Sequence, residues 1–585
     1  MNAAHRPGGL HLNSHGLALA PAHLLHPLKK LIPALLLGSA CFATGAFVAR
    51  PTAPDEITVP MLQAAQQLFG LNFSAAQLDS TRRNLSNYRD SYEALRKIDL
   101  PNQVAPALVF DPRPLRMRQA QVVNPKAPSK TVFLKGLKLP ANRDDLAFYS
   151  VAQLGGLLHA RLISSEDLTK FFLARLKKYD PQLHCVISLT EELALEQARQ
   201  ADRETAAGKF RGPLHGVPFG IKDLFSTKGY KTTWGAVPYQ DQVIDEDAAV
   251  VERLRAAGAV LVAKLTLGEL AQGDVWFGGK TRTPWDVSKG SSGSSAGPAA
   301  AVAAGLVPFA IGTETLGSIV SPSTACGITG LRPTYGRVSR AGGMTLSWSM
   351  DKAGPLAHSA EDCALVLAAL TADGPDARDP ATLLAPNRFD FAAGTDIKKL
   401  RVGYVKAAFE ADYPTKANDA ATLDVLRRLG VELVPLELPA IAPGLLRFVL
   451  TAEGAAAFDG LTRSGRDGQM VLQNRTAWPN TFRSSRFIPA VEYLQAQRVR
   501  SLLIEQLDAR LRGLDCYLAP SFSANLVLTN LTGHPAVAVP NGLTKAGLPG
   551  TVTFMGQLYE EGKLLALVKA YQEATDFDEL HPKLP

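Results

Sequence analysis

Three stretches set reactive side chains against sequence that reads as buried core. In "HGVPFGIKDLF" a short apolar run ends at Lys222, with Asp223 next. Desolvation disfavours a charged amine, and lowering a lysine from ~10.4 to near 7 costs roughly 4–5 kcal/mol. A neutral amine of that kind can act as a general base. The competing readings are an ion pair with Asp223 and a lysine that snorkels to the surface. In "TPWDVSKGSSGSSAGPAAAVAAG" a Ser/Gly tract leads into an alanine run that stops at Gly305. Pro298 suits the first turn of a helix, so the tract enters a helix N-terminus with free N–H groups. A phosphate cradle and a plain N-cap serine are the rival readings. No Gly-Lys-Ser/Thr follows, which argues against a nucleotide P-loop. In the third stretch the apolar "LVPFAI" runs into the polar turn "GTETLGS", which ends at Ser318. Consecutive N–H groups in such a turn can serve as an oxyanion hole, but the serine needs an activating base. None of His159, His184, His215, His358 or His534 lies in a nucleophile-elbow setting, and lysine is the base at hand.

The elements that must hold these residues alternate. "SVAQLGGLLHARLISSEDLTKFFLARLKKYD" makes two helices, with Ser165 as N-cap of the second. "EELALEQARQADRETAAG" makes another, ended by Gly208. "DAAVVERLRAAGAVLVAKLT" is a helix followed by a strand, and "RVGYVKA", "TLDVLRRLGVELVPLEL" and "DCYLAPS" continue the alternation. Such a pattern predicts an α/β domain whose sheet is covered by helices on both faces, from about residue 145 to the end. Upstream, residues 55–100 carry apolar side chains three and four apart and predict helices. A Pro-rich extended connector then lies on the surface of the main body. This gives a helical N-terminal region and connector over 51–144 and a catalytic domain over 145–585.

Residues 1–30 read as a disordered extension or a misassigned start. Lys29 and Lys30 precede an apolar run over 31–49, closed by Arg50 and Pro51. That run has the look of a signal peptide or membrane anchor, which places the protein outside the cytoplasm or on a membrane, and in the cytoplasm if the run is instead a buried helix. "GSAC" at Cys41 weakly resembles a lipobox, with Gly38 where leucine is expected. With 46% hydrophobic and 20% charged residues the 585-residue chain is globular, and its net charge of +8 is scattered, which disfavours nucleic acid as a partner. The five cysteines form no CxxC or Cys/His cluster, so neither a structural zinc nor a disulfide framework is expected.

The three stretches together resemble the amidase signature family. The similarity extends to "AQADRETAAGKFRGPLHGVP", "GAVLVAKLTLGELA", "KAGPLAHSAEDCALVL" and "NLTGHPAVAVPNGL", and it spans about 145–575. It implies a large central mixed sheet, a Ser–Ser–Lys triad, and no metal or cofactor. Aligning "TPWD" and "AAAVAAG" without gaps places the bridging serine at Ser294, after a cis peptide bond, rather than at Ser291 or Ser292. Lys222 then matches the family lysine and Ser318 the nucleophile. The N–H groups of Thr315, Leu316, Gly317 and Ser318 match the oxyanion hole, with Ser295 in support. Two departures stand out: Leu316 where many members have glycine, its side chain able to narrow the acyl pocket, and Val320 where many have arginine. The implied activity is hydrolysis of a small-molecule or peptide carboxamide to acid and ammonia or amine. The alternatives are the glutaminase subunit of a tRNA-dependent amidotransferase and a non-catalytic binding protein of the same fold. Homodimers are common in the family. The segment over 440–495 is expected to line a substrate channel.

Overall fold

The computed structural model describes residues 56–98, 101–102, 104, 106, 108–118, 134, 136–385 and 388–584. The apolar run over 31–49 and Cys41 lie outside them. Two compact units result, Met1–Asp99 and Leu100–Pro585.

In the first unit the expected helices form at Val59–Leu68 and Ala75–Leu95. Thr58 caps one, and a Ser74/Gln77 capping box opens the other. The link between them is fixed by the Phe73 N–H donating to Gln66 Oε1 at 2.8 Å.

The second unit is built on an eleven-stranded sheet. Its strands are β1 (Val186–Leu189), β2 (Pro218–Lys222), β3 (Val260–Leu265), β4 (Phe309–Glu314), β5 (Thr329–Arg332), β6 (Lys352–Ala357), β7 (Arg401–Tyr404), β8 (Glu432–Pro435), β9 (Cys516–Pro520), β10 (Ala536–Leu543) and β11 (Pro549–Gly556). Their spatial order is β1-β3-β2-β4-β6-β5-β10-β11-β9-β7-β8. β2 pairs in parallel with β3 and β4, and β7 with β8 and β9; the other pairs are antiparallel. The sheet is therefore mixed. β4 is longer than the "LVPFAI" run suggests. It continues through Gly312, Thr313 and Glu314 because β6 pairs with it that far, Lys352 lying opposite Glu314.

Helices cover the sheet. Every residue of β2 and β3 is buried, which explains their near-continuous apolar sequence. Phe219 and Phe309 stack at 5.5 Å within the largest core cluster. A second cluster packs the helix Ala296–Ala303 against Val260, Val262 and Ala310. That helix is buried along its whole length, so it is apolar all round, and alanine keeps it thin. The Ser/Gly tract is thus the entrance to a core helix and not a linker. Ser164, not Ser165, caps the helix Ser165–Leu183, a shift of one position. The described part of the Pro-rich connector is tied into the second unit. Asn102 donates to Thr345 O at 2.9 Å and accepts from Thr345 N at 2.6 Å, and Arg116 donates to Asp508 at 2.8 Å. Cys185, Cys326, Cys363 and Cys516 are buried free thiols.

Candidate active site

Parallel pairing brings the carboxyl ends of the interior strands β2 and β4 together, where α/β sheets place their sites. Lys222 closes β2 with 0% exposure. Its Nζ lies 2.8 Å from Ser294 Oγ, 2.8 Å from Thr313 Oγ1 and 3.2 Å from Ser295 Oγ. Burial pulls the amine down from 10.5 to about 7, against the opposing pull of Asp351 and Glu314. Neither competing reading of Lys222 survives. It does not reach the surface, and Asp223 is taken by another lysine: its Oδ1 lies 2.8 Å from Lys264 Nζ, and both side chains are fully buried. Consecutive residues at a strand end point to opposite faces, so Lys222 and Asp223 cannot share one side.

The serine tract turns sharply beside Lys222. The Gly293–Ser294 peptide bond is cis. A Cβ on Gly293 would sit 1.9 Å from the Gly273 carbonyl oxygen, so that position has no room for a side chain. Ser295 Oγ donates to Thr313 O at 3.0 Å and accepts from Thr313 N at 3.1 Å, stapling the loop to β4. The Ser295 N–H donates to Ser318 O at 3.1 Å and ties the tract to the turn after β4. Ser291 and Ser292 face elsewhere. Ser291 Oγ donates to Ser292 O, and Ser292 Oγ meets Ser321 Oγ at 2.7 Å. Among the described residues no side-chain hydrogen bond joins Ser294 to Ser318, whose side chain is partly exposed.

A carboxylate that sequence reasoning did not anticipate holds the turn itself. Glu314, fully buried, accepts the N–H groups of Ile319 at 2.8 Å and Val320 at 2.9 Å through Oε2. Its Oε1 accepts Arg332 Nη1 at 2.6 Å and Asn530 Nδ2 at 2.7 Å. Burial alone would raise this carboxyl, but Arg332, Lys352 and the Val320 N–H outweigh it and hold it at about 2. With those two amides engaged, the N–H groups of Thr315, Leu316, Gly317 and Ser318 have no protein acceptor among the described residues. Gly317 has φ +90°, a conformation that favours glycine. Leu316 is not among the positive-φ residues, so a side chain is tolerated there. That side chain packs on the third core cluster and is not among the residues lining the neighbouring cavity. The cavity, of about 480 Å³, opens beside Thr313 and Thr315. Asp351, also unforeseen, accepts the Thr315 hydroxyl at 2.6 Å and the Leu346 and Ser347 N–H groups at 2.8 and 3.0 Å.

A family model described as Amidase matches residues 167–528, more than half of the chain. The chain belongs to the amidase family. Among curated relatives of this amidase, the A-subunit of glutamyl-tRNA(Gln) amidotransferase from Methylococcus capsulatus is 36% identical over 483 residues, covering 74% of this chain and 98% of its own. Among solved structures, the peptide amidase of Stenotrophomonas maltophilia superposes with a TM-score of 0.64 at 32% identity, covering 74% of this chain and 98% of its own. An amidase family protein from Bacillus anthracis superposes with a TM-score of 0.69 at 26% identity, covering 79% and 100%. This amidase is accordingly an enzyme of the amide C–N hydrolase type with the amidase-signature fold, and the reading as a non-catalytic binding protein falls away.

Within the amidase, residues of the 440–495 stretch, among them Glu453, Ser485, Ile488 and Tyr493, line a second cavity of about 770 Å³. No helix among the described residues is long and apolar enough to cross a membrane.

Proposed function

We propose that this amidase hydrolyses a carboxamide through an ester on Ser318, with Lys222 as base and Ser294 as proton bridge. Neutral Lys222 takes the Ser294 proton as Ser294 takes that of Ser318. Ser318 Oγ attacks the carbonyl carbon, and the negative oxygen is received by the free N–H groups over 315–318. The C–N bond breaks as the proton returns through Ser294 to the leaving nitrogen. Water then attacks the ester, gives its proton back along the same path, and releases the acid with Ser318 restored. The observation that carries this reading is Lys222, a fully buried amine 2.8 Å from a serine hydroxyl, where burial favours its neutral form. The Ser294–Ser318 contact is the link still to be made, and such contacts commonly tighten only around substrate.

The reading predicts a pH profile. Only the neutral amine accepts a proton, so kcat/KM on any amide substrate should rise through an apparent pKa of about 7 and fall away in acid. Stopped-flow acylation from pH 5 to 9 checks it. A rate independent of pH across that window would take the base role from Lys222.

A second reading is favoured by the name of the curated relatives: a glutaminase component that passes ammonia to a partner acting on tRNA. Ammonia release from glutamine, stimulated by tRNA and partner proteins, would establish it. Hydrolysis of simple carboxamides by the chain alone, with glutamine a poor substrate, would establish the free-standing amidohydrolase. The place of action is part of the proposal: the run over 31–49 directs export or anchors the chain, and fractionation of cells expressing the full chain tests this.

A further inference from the structure

The cavity beside the site has a chemistry of its own. Its inner wall is apolar, formed by Leu224, Phe225, Tyr335, Met344, Leu346 and Trp348. Charged groups also line it, but they are already engaged. Arg340 donates to both oxygens of Asp379, at 2.9 and 2.7 Å, and to Trp348 O at 2.8 Å. Asp351 is taken by Thr315 and two backbone N–H groups. Arg378 pairs with Glu252 and Asp376, and Glu246 is exposed to solvent. Among the described residues that line it, no buried charge remains for the ammonium and carboxylate of an amino-acid amide, and leaving such groups unpaired is costly.

The other wall comes from outside the family-matched residues. Pro106, Leu108, Val109 and Phe110, together with Trp348, line both this cavity and the second, larger one. They stand between the two spaces. Phe110 is clamped: its ring lies 5.1 Å from that of Tyr335, edge to face, and the Arg500 guanidinium sits 3.6 Å over it. Arg500 is itself buried and fixed by the carbonyls of Ser349 and Leu531, at 2.9 and 2.6 Å.

We infer that the inner cavity takes the acyl part of an apolar carboxamide, alkyl or aryl, and that Pro106, Leu108, Val109 and Phe110 with Trp348 limit how long that part can be. This rests on Ser318 being the nucleophile. The test uses n-alkyl fluorophosphonates of increasing chain length on the full chain, reading the second-order rate of labelling at Ser318 by mass spectrometry. Rates should rise about four-fold per methylene, the factor set by burying a CH₂, until the cavity is filled, and then drop. Phe110→Ala should move the chain length of fastest labelling upward, and Phe110→Tyr should not. If the alanine chain does not fold, Phe110→Leu carries the same comparison, and the wild-type series alone decides the substrate class. Rates that do not depend on chain length overturn the inference and leave Ser318 as nucleophile. Faster labelling by a probe ending in an α-amino acid than by an alkyl probe of equal length does the same. Failure of every probe to modify Ser318 overturns the functional reading itself.

Discussion

Ser318→Ala should lower amide turnover by on the order of 10⁴-fold or more and abolish fluorophosphonate labelling, with little change in melting temperature. The substitution removes one partly exposed hydroxyl and leaves the backbone bonds that hold the turn. Lys222→Met should be nearly as damaging, about 10³- to 10⁴-fold, because the relay then ends on Ser294 with no base behind it. Its effect on stability should have the opposite sign. Depressing the amine from 10.5 to about 7 costs folding roughly 5 kcal/mol at about 1.4 kcal/mol per pH unit. That cost is complete below about pH 7, where the amine is charged in folded and unfolded chains alike. It shrinks as pH rises toward 10.5, where the folded amine is neutral and the unfolded one is losing its proton. Losing three hydrogen bonds at about 1 kcal/mol each leaves a net gain on the order of 2 kcal/mol at neutral pH. Thermal melts of both chains from pH 6 to 10 would show the methionine chain ahead at neutrality and the gap closing in alkali. A methionine chain that keeps its acylation rate would remove Lys222 from the mechanism.

How far the site is legible in the sequence differs from residue to residue. Lys222 is legible because "VPFGI" reads as a buried strand, and a lysine closing it must be desolvated, paired or able to snorkel out, a choice that only its place inside the fold decides. Which aspartate and lysine pair is not legible. That depends on β2 and β3 lying side by side with Ile221 opposite Lys264, a register that no local pattern prints. The serine tract declares a helix entrance through Pro298, yet only the alignment with the family sets Ser294 apart from Ser291. The structure adds the local reason, since Ser291 and Ser292 are committed to other partners. Leu316, which replaces the family's glycine with a side chain able to narrow the acyl pocket, turns that side chain to the third core cluster. Side-chain direction in an irregular turn follows from backbone angles that composition does not reveal. The α/β alternation is plain from helix and strand periods, whereas the antiparallel insertions that make the sheet mixed come only with the family resemblance. Glu314 does leave a signal: a carboxylate at the end of a buried strand needs partners, and "GLRPTYGR" offers one in Arg332.

That carboxylate supports the other large prediction. Glu314 spends one oxygen on the amides of Ile319 and Val320, directly after Ser318, and the other on Arg332 and Asn530. Both members of the ion pair are fully buried, so removing one leaves an uncompensated charge. Glu314→Gln should therefore cost about 3–5 kcal/mol of stability. It should also loosen the turn, lowering the Ser318 labelling rate about 10²-fold, the penalty of an ångström-scale misplacement. These two effects can be separated. The double variant Glu314→Gln, Arg332→Met removes the stranded guanidinium and should regain most of the lost stability in urea unfolding. It restores no anion to the 319 and 320 amides, so labelling should stay slow, while Glu314→Asp should recover part of the rate. Were the double variant to regain both stability and labelling, Glu314 would be only half of a structural ion pair. Were Glu314→Gln to label at the wild-type rate, the turn would be holding Ser318 without it.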